Sequence, residues 1–122
     1  MQSVKKEFER TMKTVQVNKM AGLPIGVGKN LSDTDLIAKT RTEASNNNIR
    51  FASEISAAYH ITLHPVDPPS SYLVMANSII SNGQVEVNIT QEGDSRILIF
   101  SSGKKKCILL ERGGSVLLCS FF

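Results

Sequence analysis

Four groups of residues in this chain are chemically capable: two histidines, two cysteines, a glycine–lysine turn and a run of lysines. His60 and His64 stand four apart, with Asp67 after them. On a helix that spacing puts both imidazoles on one face, as two ligands of a zinc ion. Here Ile61-Thr62-Leu63 and Pro65 favour an extended strand, in which residues four apart lie about 13 Å from each other and cannot share a metal. The zinc-protease pattern also needs Glu after the first His, where this chain has Ile61. No metal site is expected, and one His is read as a surface or interface residue.

Cys107 and Cys119 each sit in an apolar stretch, CILL and VLLCSFF. The favoured reading is two buried thiols packing as small hydrophobes. The rival is a cross-strand disulfide, if two strands pair with these residues opposite. No C-x-x-C spacing signals structural zinc, and no strained turn presents either thiol as a nucleophile. No catalytic residue and no cofactor follow from these groups.

Gly26-Val27-Gly28-Lys29 invites comparison with a phosphate-binding loop. That template needs a glycine five positions before Gly28 and a Ser or Thr after the lysine. Leu23 and Asn30 stand there instead, so a flexible or close-packed glycine turn is expected. Lys104, Lys105 and Lys106, with Lys5 and Lys6, make the candidate contact for nucleic acid or another anion. Residues 1–50 hold nine basic and five acidic side chains, residues 51–100 one and five, residues 101–122 four and one, so the net charges are +4, −4 and +3. Self-neutralisation between basic ends and an acidic middle is the simpler reading. Nucleic-acid binders usually show a stronger bias with aromatics interleaved.

These groups must be carried by a small framework. At 122 residues the chain has room for one domain and one core. No window approaches the ~18 apolar residues of a membrane span, and Met1 to Arg10 lacks the apolar stretch of a secretory signal. The expected location is the cytoplasm.

Ser3 can cap a helix from Val4 to about Val17, with Val4, Phe8, Met12 and Val15 on one face. Residues 19–31 read as a loop with one short strand at Pro24 to Val27. Ser32 or Asp33 caps helical sequence over 33–60, as two helices or one bent at Asn46-Asn47-Asn48, with Phe51, Ile55, Ala58 and Tyr59 at apolar helical spacing. His60 to Val66 reads as a short strand. Residues 71–81 fit a helix stopped at Asn82-Gly83, although that pair also signals a hairpin. The last forty residues contain four β-type runs, 85–90, 96–100, 107–111 and 115–122, separated by short turns.

The expected fold is therefore α+β: N-terminal helices packed on a C-terminal four-stranded antiparallel meander, residues 1–122 forming a single domain. The later strands are nearly continuous in apolar residues, which calls for cover on both faces. Helices can cover one. The expected function is a small non-enzymatic adaptor or scaffold module that self-associates through apolar sheet surface, with Leu110, Leu118 and Phe122 as candidate interface residues. The partner is a protein or a second copy, not a membrane. The alternative is a nucleic-acid or other anionic-ligand binder using Lys104, Lys105 and Lys106 and the basic N-terminal helix.

Overall fold

A computed structural model describes residues 20–63, 71–90 and 93–121. The expected N-terminal helix, with Lys5, Lys6 and Phe8, lies outside the described residues, as do His64, Asp67 and Phe122. In chain order the elements are β1 (Ile25–Gly26), α1 (Asp33–Ser45), α2 (Glu54–Leu63), α3 (Ser71–Asn82), β2 (Gln84–Ile89), β3 (Ser95–Ser102), β4 (Lys105–Arg112) and β5 (Ser115–Phe121).

The four C-terminal strands form the expected meander. Gly103 opens the β3–β4 turn at φ +60°, as a type II′ turn requires, and Gly113 and Gly114 both take positive φ, as a type I′ turn requires. The sheet has one strand more than the expected meander, because the short strand read at Pro24 to Val27 joins it: Ile25 and Gly26 pair with Val116 and Ser115, giving the antiparallel order β1-β5-β4-β3-β2. The glycine loop after β1 is close-packed. The Val27 and Gly28 amides both donate to the Gly114 carbonyl, at 2.7 and 3.2 Å. They are thereby spent on the fold, and a Cβ on Gly114 would come within 2.6 Å of the Gly28 backbone.

The stretch 33–60 divides into two helices. Ser32 caps α1, its hydroxyl accepting the Asp35 amide at 3.2 Å, and the asparagine run ends it, with Asn47 at φ +57°. The strand expected at His60–Val66 is overturned in its first half: His60 to Leu63 form the last turn of α2. The local cause is a helix start signal at Ser53. Ser53 accepts the Ser56 amide on its hydroxyl and the Ala57 amide on its carbonyl, and Thr62 returns its hydroxyl to the Ala58 carbonyl. The apolar stripe expected on this segment also faces the other way. α2 buries Ala57, His60 and Ile61, whereas Ile55, Tyr59 and Leu63 are among the exposed large apolar residues.

Residues 71–82 are helical, and the Asn-Gly pair is the stop, not a hairpin. A Cβ on Gly83 would lie 2.5 Å from the Ser101 carbonyl oxygen and 2.6 Å from that of Ile79. The carbonyls at this helix end, which have no partner within the helix, are met by Arg41 of α1. Its guanidinium donates to Ile80, Ser81 and Gly83 at 2.9–3.1 Å and lies 5.3 Å over the Phe100 ring. α3 is also bound to the chain before α2 by Asn77, buried at 1 % exposure. Its side-chain oxygen accepts the Ile49 amide at 3.0 Å, and its amide group donates to the Ile49 and Leu73 carbonyls. Asn77→Leu would leave both Ile49 backbone groups unmatched. It should cost about 2–3 kcal/mol in chemical denaturation, while Ser78→Ala on the exposed side of α3 stays near wild type.

The core lies between the helices and one face of the sheet. Phe51, Tyr72, Phe100 and Leu118 are fully buried there. Tyr72 meets Phe121 edge-on at 4.9 Å, and Phe51 stacks on His60 at 5.2 Å.

Candidate interaction surface

Successive residues of a strand point to opposite faces. On the helix-facing side Leu98, Phe100, Cys107, Leu109, Val116 and Leu118 are buried. The alternate residues fall on the outer side in two rows set by register. One row runs Asn88, Ile97, Leu110, Leu117; the other runs Glu86, Ile99, Ile108, Ser120. Ile97, Ile99, Ile108, Leu110 and Leu117 are all half-buried, and none packs against the buried core or its fringe among the described residues. Five branched apolar side chains thus form a contiguous patch on the side of the sheet away from the core.

Of the residues singled out in the sequence, Leu110 stands in the middle of this patch. Leu118 does not: it is wholly buried, opposite Leu109, and bridges Phe51. The reason is parity. Leu117, its neighbour, is the outward residue, and the face could be assigned only from the register with β4. Phe122 lies outside the described residues. Sequence reasoning missed Ile97, Ile99, Ile108 and Leu117, because their runs are apolar at nearly every position and show no alternation of apolar with polar residues.

The lysine run is divided by the same alternation. Only Lys104 lies in the turn; Lys105 and Lys106 open β4 on opposite faces, so the three ammonium groups do not project together. The Lys105 ammonium sits 5.9 Å over the Phe121 ring.

His60 is a packing residue. Its Nε2 lies 3.2 Å from the Cys119 carbonyl oxygen. Cys119 is the extra residue of a β-bulge, since Ile108 pairs with Ser120 and Leu109 with Leu118. Among the described residues no three His, Cys, Asp or Glu side chains gather as a metal would need. Both thiols are free. Cys107 faces Phe121 across the ladder, not Cys119, so the two do not form a cross-strand pair. Burial pushes the Cys107 thiol up to about 12 and also raises Cys119, against a lowering contact from the Leu110 backbone.

An open cleft of about 630 Å³ with a mixed lining includes Lys29, Asn30, Ile89, Asp94, Arg96 and Glu111. Its two least exposed charges are spent on each other: Arg96 Nε donates to Glu111 Oε2 at 3.0 Å, and Glu111 Oε1 accepts the Gly114 amide. Hydrogen bonding to Glu111, more than any other contact, holds the Arg96 pKa above its ordinary value. The cleft's charged groups thus join the loop to the sheet.

No described helix is long and apolar enough to cross a membrane. Comparison of the chain with protein-family models, curated proteins and solved structures finds no match.

Proposed function

We propose that this chain is a small non-enzymatic interaction module that associates with a second copy of itself through the outer face of its sheet. The observation that carries the reading is the pair of register rows that place Ile97, Ile99, Ile108, Leu110 and Leu117 together on the side that, among the described residues, has no core contacts. Contiguous apolar patches on soluble proteins commonly mark interaction surfaces. The rows end on the polar Glu86 and Asn88 at the β2 side, and on Ser120 and the apolar Leu117 at the β5 side.

Leu110→Lys is the direct test, because it inserts a charge at the centre of the patch without touching the buried face. Sedimentation velocity over a wide concentration range should show the parent associating and the variant falling to a smaller species, with an unchanged circular dichroism spectrum. A parent that stays monomeric throughout, or association indifferent to Leu110→Lys, would overturn the reading. Titration with a DNA or RNA oligonucleotide at low and physiological salt addresses the alternative. Tight, salt-dependent binding lost on replacing Lys104, Lys105 and Lys106 with Gln would select it instead.

A further inference from the structure

Among the described residues the sheet ends on β2, which pairs with β3 alone. Its six residues, Gln84–Ile89, form a regular ladder with β3. They contain no proline and no lysine, and only one charge, Glu86. Edge strands usually carry such features, or are very short, because their unpaired backbone invites another strand. The opposite edge follows that rule, since β1 is two residues long.

The ladder also shows which backbone groups face outward. The Thr90 amide donates to the Ser95 carbonyl in the same register that pairs Gln84 with Ser101. In an antiparallel ladder the bonding pairs alternate. Gln84, Glu86 and Asn88 therefore turn their N–H and C=O groups toward β3, and Val85, Val87 and Ile89 turn theirs to the open edge.

We infer that β2 pairs antiparallel with β2 of a second copy, about a two-fold axis at Val87, to make one continuous sheet. The occupant is argued from self-complementarity. With Val87 opposite Val87 of the second copy, Val85 falls opposite Ile89, and every outward group of the three residues meets one of opposite kind. On the core-facing side this covers Ile89, which is 69 % exposed in the single chain. On the outer side Glu86 falls opposite Asn88, a hydrogen-bonding pair, so the strand's one charge avoids its own copy. Moving the axis to Glu86 would set that charge against its own copy and leave Ile89 opposite Gly83, outside the strand, and moving it to Asn88 would leave Val85 with no partner inside the strand. The edge is distinct from the apolar face centred on Leu110, and the two surfaces can fail separately.

A charge exchange tests the register. Asn88→Glu sets Glu86 of each chain against the introduced carboxylate of the other, and like charges directly opposite on a ladder repel. The dimer dissociation constant by sedimentation should rise by roughly tenfold or more. Adding Glu86→Lys to the same chain places opposite charges at both positions and should restore dimerisation. Neither substitution touches a buried side chain, and circular dichroism would verify the monomer fold. Association unchanged by Asn88→Glu, or lost and not restored by the second change, overturns the proposal. Leu110→Lys separates it from the face: an assembly whose size is unchanged by Leu110→Lys but reduced by the exchange supports the edge and removes the face, the converse removes the edge, and a reduction by each change alone supports both. A parent monomeric at all concentrations removes both.

Discussion

Glu111→Ala should lose about 3–5 kcal/mol of folding free energy, the usual cost of removing one partner from a buried ion pair. The Glu111 side chain is 7 % exposed and that of Arg96 16 %. One carboxylate oxygen accepts from Arg96 and the other from the Gly114 amide. Alanine leaves a guanidinium poorly solvated and a buried turn amide without an acceptor. Arg96 keeps its bond to the Leu31 carbonyl at 2.6 Å and to Asp33 at 3.1 Å, but Asp33 is 58 % exposed, so its share is small. Asp33→Asn should therefore cost less than about 1 kcal/mol. Urea denaturation followed by circular dichroism gives both values. A Glu111→Ala loss no larger than that of Asp33→Asn would mean that water serves the pair as well as its partner does. The paired replacement Arg96→Met with Glu111→Leu should recover only the part of the loss due to the unpaired guanidinium, because the Gly114 amide and the Leu31 carbonyl stay without partners.

Phe51→Ala should cost a similar amount, about 3–5 kcal/mol, from lost transfer free energy and the cavity left behind. Phe51 is fully buried, stacks on His60 and lies 6.1 Å from Tyr72. Its backbone amide donates to the Met20 carbonyl, and the flanking Ala52 amide and Arg50 carbonyl bond to Leu118 of β5. Truncation would thus loosen the residue that seats the segment before α2 against the sheet. Ile55→Ala is the matched control. The same apolar spacing covers both positions, but Ile55 is 83 % exposed, so its loss should be within about 0.5 kcal/mol. Equal effects at the two sites would show that the stripe on α2 is buried after all.

The sequence by itself determined the local events. Ser32 starts α1 because its hydroxyl can accept an N-terminal amide. Gly103, Gly113 and Gly114 fold the strands back because their turns need positive φ, and the β-branched runs between them make a meander. Each signal acts within a few residues, so it can be read without knowing what lies opposite. The α+β class and the turn positions followed from them, and so did Leu110 as a candidate contact.

What only the tertiary structure decided was which side each residue faces. A one-residue change of register exchanges the two faces of a strand. The near-continuous apolar runs ILIF, CILL and SVLL carry no strong internal sign of inside and outside. The bulge at Cys119 and the pairing of Leu109 with Leu118 put Leu118 in the core and Leu117 on the surface. Similarly, the short strand read at Pro24 to Val27 is present as β1, but its place beside β5 is set by residues distant in the chain. His60 to Leu63 are β-branched and apolar enough for a strand, yet join α2 because Ser53 begins a helix whose Ala57, His60 and Ile61 are buried. The lysines, adjacent in sequence, are separated because a strand turns successive side chains apart. For Leu118 and β1 the deciding contact is made with residues distant in the chain, which no local pattern carries.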